Sequence, residues 1–281
     1  MSDDAAVRYA VSGAVAMLTM DQPHNRNALT PALMSGLARG LDKALADEAV
    51  RVIVLTNTGP AFCAGADLSG GTPAVAGGDE RRGARRDGLA GLLAAIEDST
   101  KPVVARIAGH CVAGGMGLAA ACDISVAGDA ARFGFTEVRI GVAPAIISVV
   151  CLPKLRRSDA LELFLSGERI SAARAAEVGL ITRAVPAADL DAEVAAVVAR
   201  LLAGGPAALA AAKRLVYKIP GMAREEAFTR TTDVSQALFT SAEAAEGMAA
   251  FREKRLPSWA PPPGATRRAR SRTAARHGPA S

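Results

Sequence analysis

Apolar residues recur at two different spacings over the first 130 residues of this chain, and each spacing predicts a different element. Leucines follow one another every four residues from Leu33 to Leu45, with charged residues between them, which predicts an amphipathic helix on a sheet. Short, mainly apolar runs at residues 52–56 and 103–107 are typical of buried strands. Because strands and helices alternate over residues 15–130, the pattern predicts an α/β core with parallel strands.

Helical patterns take over in the last third of the chain. Between residues 206 and 256 the sequence predicts three helices in succession, two of which carry apolar residues on limited faces, as if to pack on the core or on another subunit. The end of the chain is rich in Pro, Ala and Arg, a composition typical of a solvated end. We therefore predict an α/β core at 1–202, a helical region at 203–260 and a basic, flexible tail at 261–281.

The composition of the chain bears on its size class and on its partners. The 281 residues are 50% hydrophobic, enough for a large core, and carry 33 Lys and Arg against 28 Asp and Glu. Five arginines lie in the last 20 residues, where there is no acid, so the rest of the chain balances at 28 against 28. With only 4% aromatic residues and no basic face, a nucleic-acid partner is not expected.

Cysteine, histidine and hydropathy patterns exclude several other classes. The four cysteines show no CxxC spacing and the three histidines no ligand spacing, so we predict buried thiols and no metal site. The N-terminus lacks the basic and apolar regions of a signal peptide, and no run of 18 apolar residues occurs. These features predict a soluble, cytoplasmic protein with no membrane partner.

A glycine-rich corner between residues 101 and 144 carries the candidate chemistry. The predicted strand at 103–107 is followed by Gly114, Gly115 and Gly117 and then by a run of small residues that suits a tightly buried helix. A glycine turn that leads into a helix presents free backbone N–H groups in a positive potential. Such a corner can hold a phosphate, or an oxygen that becomes negative during a reaction.

Six segments of the chain together resemble one family. They are PHNRNAL, AFCAGADL, KPVVARIAGHCVAGGMGLAAACDISVA, FGFTEVRIGVAP, SGERISAARAAEVGLI and FREKRLPSW. In their order and spacing, over about residues 7–259, they resemble the crotonase superfamily of enoyl-CoA hydratases and isomerases. The resemblance implies a spiral of ββα units, a C-terminal helical trimerisation region and acyl-CoA thioester substrates. It also implies homotrimers, often paired into hexamers, and no cofactor, because coenzyme A is part of the substrate.

The resemblance assigns the catalytic positions residue by residue. Ala66 and Gly114 match the two residues whose backbone N–H groups hold the thioester carbonyl oxygen. Preorganised donors of this kind stabilise an enolate by ~3 kcal/mol each. Glu137 matches a catalytic glutamate of the family hydratases, where it would act as general base. Its apolar neighbours in the sequence, Phe135 and Ile140 among them, should raise its pKa into a useful range.

Further positions match residues that bind coenzyme A in the family. A basic residue in FREKR matches one that reaches the nucleotide phosphates, often from a neighbouring subunit. Gly117 and Pro144 are expected to line the acyl pocket. The positions that the resemblance assigns to coenzyme A are Arg26, Ala28, Ala64, Asp67, Leu68 and Lys254.

The chain departs from the family pattern at Gly117, where two-carboxylate hydratases carry a second glutamate. Two enzymatic interpretations stay open: a hydratase in which Glu137 serves alone, with Gly117 leaving room for a branched or carboxylated acyl group, or a Δ3,Δ2-enoyl-CoA isomerase that uses Glu137 as proton shuttle. We favour the hydratase, because GGMGL followed by EVRIGVAPAIIS resembles methylglutaconyl-CoA-type hydratases. A crotonase-fold protein that binds acyl-CoA without turnover is the third alternative.

Two unrelated enzyme classes do not fit the motifs. A dinucleotide-binding oxidoreductase needs GxGxxG directly after its first strand, and the GGMG of this chain lies far downstream. A serine hydrolase needs GxSxG with a paired histidine, and the sequence has no such motif.

Overall fold

A computed structural model describes residues 6–69 and 88–260 of the chain. The predicted tail at 261–281 lies outside the described residues. The chain divides into two compact units, residues 1–194 and 195–281. The division therefore falls inside a helix that the sequence analysis assigned to the core, ahead of the predicted boundary at residue 202.

Ten strands and ten helices are described, most of them in the first unit. The strands are β1 (Val7–Ser12), β2 (Val15–Met20), β3 (Val52–Asn57), β4 (Ala61–Cys63), β5 (Val103–Ile107), β6 (His110–Val112), β7 (Ile124–Gly128), β8 (Arg132–Gly134), β9 (Ile170–Ser171) and β10 (Arg183–Val185). The helices are α1 (Pro31–Ala46), α2 (Leu89–Glu97), α3 (Gly114–Ala121), α4 (Ala145–Cys151), α5 (Arg157–Ser166), α6 (Ala172–Glu177), α7 (Leu190–Ala203), α8 (Pro206–Lys218), α9 (Arg224–Phe239) and α10 (Ala242–Arg252).

Local sequence explains how the first elements begin and turn. The β1–β2 hairpin closes at Gly13, whose φ of 57° favours glycine. Helix α1 begins at Pro31, and the Thr30 side chain accepts a hydrogen bond from the Leu33 N–H. This cap and the four-residue leucine spacing account for the predicted helix, whose leucines are buried from Leu33 to Leu41.

The strands form two sheets that confirm the predicted ββα repeat. The larger sheet has the order β1-β2-β3-β5-β7-β10, and all of its pairs after the β1–β2 hairpin are parallel. The smaller sheet has the order β4-β6-β8-β9, with β9 antiparallel to β8. In the repeats that begin with β3, β5 and β7, the first strand therefore lies in the larger sheet and the second, three-residue strand in the smaller one, whereas both strands of the β1–β2 hairpin belong to the larger sheet.

The core of the first unit joins the larger sheet to the helices. Its largest fully buried side chains include Phe62, Phe133 and Phe135, which lie on or directly after the short strands of the smaller sheet. The short strands are missing from the sequence prediction, because three residues are too few to show an alternation. They nevertheless decide where the loops of the site begin.

The second unit is helical, as the sequence predicts. Glu243 of α10 accepts hydrogen bonds from the Ala207 and Ala208 N–H groups in the first turn of α8 (both 2.9 Å), a favourable place for a carboxylate. The chain after α10 folds back: Arg255 pairs with Glu246 (2.7 Å), and Trp259 donates from Nε1 to the Ala203 carbonyl (3.2 Å).

Over residues 6–69 and 88–260, no single helix has the length and hydropathy of a membrane span. The bent helix pair 187–203 and 206–221 meets these two criteria only when its helices are taken together.

Candidate active site

The smaller sheet brings the candidate residues to one edge. Strands β4, β6 and β8 are parallel, so their carboxyl ends lie side by side. Residues 64–68 follow β4, Gly114 follows β6, and Glu137 follows β8. Strand β9 runs antiparallel to β8, so residues 167–169, which precede it, reach the same edge. Neighbouring positions along this edge are about 4.8 Å apart, the spacing of paired strands.

The turns that carry Ala66 and Gly114 approach each other closely. A Cβ atom added to Gly114 would lie 3.6 Å from Gly65 Cα, and one added to Gly65 would lie 3.2 Å from Gly114 N. The bridge between Leu29 and Ala66 runs from the Leu29 N–H to the Gly65 carbonyl (2.7 Å), so it does not use the Ala66 N–H. The Gly114 N–H lies in the first turn of α3 and has no intrahelical acceptor. Two backbone donors therefore lie on neighbouring turns.

The residue before the second donor has an uncommon backbone conformation. Ala113 has φ 50° and ψ −127°, a region that L-residues rarely adopt, and it lines the same cavity as Gly114. Backbone strain of this kind persists where the surrounding structure enforces it, and it often marks functional turns. Here it turns the chain abruptly from β6 into α3.

Glu137 lies on a one-turn 3-10 helix, Thr136–Ile140. Gly141, with φ 80°, ends this helix, and Arg139 anchors it by donating from Nε to the Gly167 carbonyl (2.9 Å). Glu137 Oε2 is buried, and among the described residues no group donates a hydrogen bond to it. Burial raises the pKa of the carboxyl group, and a hydrogen bond from its own backbone opposes that shift.

These residues line one cavity of about 940 Å³. Its walls are mainly apolar, and its charged lining residues are Glu137, Arg139, Glu168 and Arg169. Ala66, Gly114 and Glu137, which were predicted separately from distant motifs, share this cavity. The apolar lining residues are Leu29, Ala64, Leu68, Leu89, Ala113, Ile140, Val142, Ala143, Pro144, Ala145, Ile146 and Ile147.

The other predicted positions divide into three groups. Ala64, Leu68 and Pro144 line the cavity. Arg26, Ala28 and Asp67 do not line it. Lys254 belongs to the second unit, where it is exposed and has a left-handed φ of 54°.

Arg26 and Asp67 nevertheless shape the segments next to the cavity. The Arg26 carbonyl accepts a hydrogen bond from the Ala64 N–H (3.1 Å), which holds their two segments together. Asp67 Oδ1 accepts from the Ser69 hydroxyl (2.7 Å) and N–H (3.0 Å), and these bonds lower the pKa of Asp67.

The expectation that Gly117 opens the acyl pocket is corrected by the structure. Gly117 is buried in α3 and is not a lining residue of the cavity. A Cβ atom at this position would lie 2.5 Å from Ile147 Cγ2 and 3.2 Å from Leu93 Cδ1. The space that a side chain would need is therefore filled by two hydrocarbon side chains, a contact between distant parts of the chain that the sequence does not reveal.

The sequence did not indicate most of the lining residues, and Arg139, Ile147 and Arg169 are among those that it did not. Arg139 could have been predicted, since it lies two residues beyond Glu137. Ile147 and Arg169 carry no local signal, because it is the packing of α4 and the start of β9 that brings them to the cavity.

Cysteine and metal chemistry have no basis in the described residues. None of the four cysteines forms a disulfide, and all are buried. Burial raises the pKa of the Cys63 thiol to about 12, so this thiol stays protonated at neutral pH. Within the described ranges, no three His, Cys, Asp or Glu side chains are grouped as a metal site requires.

The sequence of this chain is similar to the sequences of known proteins. Residues 10–262 match the model of the enoyl-CoA hydratase/isomerase family. An enoyl-CoA hydratase of Mycobacterium tuberculosis is 33% identical over 88% of this chain and 93% of its own length.

Solved structures show the same similarity. An enoyl-CoA hydratase of Mycobacterium smegmatis superimposes with a TM-score of 0.82 at 31% identity, covering 90% of this chain and 98% of that one. An enoyl-CoA hydratase of Mycobacterium avium is 47% identical, with a TM-score of 0.68 and coverage of 91% and 99%.

Proposed function

Because the chain belongs to the enoyl-CoA hydratase/isomerase family, we propose that it is an enoyl-CoA hydratase. It adds water across the α,β double bond of a 2-enoyl-CoA thioester. The observation that carries the proposal is the buried Oε2 of Glu137, to which no described residue donates a hydrogen bond, in the cavity that also contains the Ala66 and Gly114 turns. An oxygen of this kind is available to accept a proton from a reactant.

The two backbone donors act on the thioester. When water adds to the β-carbon, negative charge moves to the thioester oxygen as an enolate. The N–H groups of Ala66 and Gly114 donate to that oxygen and stabilise the charge by ~3 kcal/mol each, since they are fixed before the reaction begins.

Glu137 moves the proton. Its carboxylate removes a proton from water as the oxygen bonds to the β-carbon, and the resulting carboxylic acid then protonates the α-carbon of the enolate. The net result is the addition of one water molecule and regeneration of the carboxylate. The raised pKa of Glu137 supports both steps, because it strengthens the base and leaves an acid that is still able to give up its proton.

The cavity and the flanking segments support an acyl-CoA substrate. Arg139 and Arg169 lie in the lining together with Glu137 and Glu168, and we propose that one of these arginines pairs with the carboxylate of a carboxylated acyl group. Among the described residues Lys254 makes no ion pair, which supports a role in binding the nucleotide phosphates, with Arg26 as a second candidate. The other coenzyme A contacts that we propose are Ala28, Ala64, Asp67 and Leu68.

We further propose a cytoplasmic homotrimer that works without a separate cofactor. Buried, unbridged thiols support a reducing compartment. Large exposed apolar side chains on the second unit, among them Phe239 and Phe251, support self-association.

The test is a spectrophotometric assay with crotonyl-CoA and 3-methylglutaconyl-CoA, in which hydration removes the absorbance of the conjugated thioester. We expect the purified protein to consume at least one of these substrates, and Glu137→Gln to lower the rate by ~10²–10⁴. Glu162→Gln, which changes an exposed glutamate on α5, is the matched control and should keep the wild-type rate. A Glu137→Gln variant as fast as wild type would contradict the proposal.

A second candidate function rests on a different observation. No side chain at Gly117 provides a second acid, and one carboxylate is all that a Δ3,Δ2-enoyl-CoA isomerase needs to move a proton between two carbons. In that case a 3-enoyl-CoA would gain conjugated absorbance while crotonyl-CoA would stay unchanged. Binding of these thioesters with no change in absorbance for any of them would indicate the non-catalytic alternative.

A further inference from the structure

Position 117 of α3 faces Ile147, a residue that lines the cavity. It is one helical turn beyond Gly114, so side chains at these two positions would project from the same side of the helix. Gly114 and the preceding Ala113 line the cavity. An acidic side chain that worked with Glu137 from α3 would therefore have to begin at position 117.

Ile147 occupies the place that such a side chain would need. It is 2% exposed, lines the cavity, and has Cγ2 at 2.5 Å from the Cβ position of residue 117. Leu93 Cδ1 closes the same space at 3.2 Å. Because Ile147 is branched at Cβ, a methyl or methylene group stays in this space in most orientations about χ1.

We propose that Ile147 is the residue that leaves Glu137 without a partner carboxylate on α3. It fills the volume beside Gly117 with hydrocarbon and keeps a second acid out. The inference rests on the proposed function, since it concerns how the enoyl thioester is hydrated. It goes beyond that function in one respect. Two positions, Gly117 and Ile147, together exclude the second acid, and the glycine at position 117 does not do so alone.

The consequence for the reaction is that Glu137 makes both proton transfers. One water O–H bond breaks as its proton moves to Glu137, and a C–O bond forms at the β-carbon. The Glu137 O–H bond then breaks and a C–H bond forms at the α-carbon. No carboxylate from α3 takes part, because α3 contains no acidic residue.

Exchanging the two positions tests the proposal. Gly117→Glu/Ile147→Gly provides an acid together with the space for it, and Gly117→Gln/Ile147→Gly is its uncharged control. We expect the glutamate double variant to hydrate crotonyl-CoA at least about tenfold faster than the glutamine one, because a positioned acid or base contributes ~10²–10⁴ in rate. Its pH–rate profile should also gain a second ionisation that the glutamine control lacks.

The possible outcomes separate the inference from the proposed function. If the wild-type protein hydrates enoyl-CoA but the two double variants are equally active, the role of Ile147 is wrong and the hydratase proposal stands. If the wild-type protein and both double variants hydrate no enoyl-CoA thioester, the proposed function is wrong and the inference falls with it.

A milder set of variants keeps the inference testable if the double variants do not fold. Gly117→Ala should lower the Tm in the wild-type background and should lower it less, or not at all, in an Ile147→Ala background. Such a difference is the coupling expected of two positions that share one volume. Equal Tm losses in both backgrounds would show that Ile147 does not occupy the space of a residue 117 side chain, and would overturn the inference.

Discussion

Glu137 combines burial with the absence of a donor to one of its oxygens among the described residues, and both features disfavour its charged form. The pKa of its carboxyl group is therefore above its ordinary value in the folded protein. A general base must be ionised to act, so the same burial that strengthens the base also sets the lower pH limit of activity.

We predict that kcat/KM of the wild-type protein falls with decreasing pH through an ionisation above the ordinary value of 4.5 for glutamate. The measurement is a pH–rate profile with crotonyl-CoA. An acid limb at or below that ordinary value would show that Glu137 is not the base that controls the rate.

The same shift predicts a change in stability. A carboxyl group whose pKa is raised on folding favours the native state at low pH, and this contribution is lost as the pH rises through the folded-state pKa. Glu137→Gln removes that loss, so its Tm at pH 8 should exceed the wild-type value. The difference should shrink toward pH 4. A lower Tm for Glu137→Gln at pH 8 would contradict this account.

Gly115 shows how closely the glycine corner approaches β4. A Cβ atom here would lie 2.7 Å from the Cys63 carbonyl oxygen, a backbone atom that cannot rotate away. We predict that Gly115→Ala lowers the free energy of unfolding by about 1–3 kcal/mol and lowers kcat, because α3 must shift. Gly128→Ala is the control, with its nearest contact at 3.5 Å. Denaturant unfolding of both variants would test the contrast, and equal stabilities would contradict it.

At the scale of elements, Asn27 connects the segment before α1 to the end of β3 and to β4. Its side chain is fully buried, donates from Nδ2 to the Thr58 (3.0 Å) and Ala61 (2.8 Å) carbonyls, and accepts from the Gln22 N–H (2.8 Å). Residues 22–29 therefore lie along residues 58–66, and the second of these segments ends at the Ala66 turn.

We predict that Asn27→Asp lowers the free energy of unfolding by about 3 kcal/mol, because a carboxylate would face two carbonyl oxygens in place of a donor. It should also raise KM for coenzyme A substrates, since the joined segments flank the cavity. Asn25→Asp is the matched control: Asn25 uses its Oδ1 as an acceptor for the Ala28 N–H (3.4 Å), a role that aspartate keeps. Thermal melts and Michaelis kinetics of both variants give the comparison, and equal losses would argue against a special role for Asn27.

Sequence patterns predicted the longer elements because those elements repeat a signal several times. The four leucines of α1 and the apolar runs of β3 and β5 are examples. The glycine corner and Glu137 were also predictable, since their motifs are local. The contact of Ile147 with Gly117 was not, because it depends on how α4 packs against α3. The smaller sheet was missed as well, since its strands owe their conformation to their neighbours.

At the scale of the whole molecule, the second unit carries large apolar side chains that are exposed. Phe228, Phe239 and Phe251 are 63%, 70% and 86% exposed, far more than is usual for phenylalanine. Exposed apolar surface of this kind is typical of an interaction site, which supports the proposed homotrimer.

We predict that Phe239→Asp/Phe251→Asp shifts the protein from trimer to monomer, because each change would place a charge in an apolar interface. Ala237→Asp, at an exposed position on the opposite side of α9 from Phe228 and Phe239, should leave the trimer intact. Sedimentation velocity measures the mass of each variant. A wild-type monomer would refute the proposed trimer, and a double variant that stays trimeric would show that these residues lie outside the interface.

The order of the smaller sheet has a consequence for how this enzyme can evolve. Each strand end supplies one part of the site. The candidate donors follow β4 and β6, the candidate base follows β8, and Arg169 of the cavity lining precedes β9. These loops belong to separate structural repeats, so mutation can alter one of them while its neighbours keep their positions. New acyl groups, and even a new reaction, are therefore accessible through changes after β8 or before β9 that leave recognition of the thioester intact.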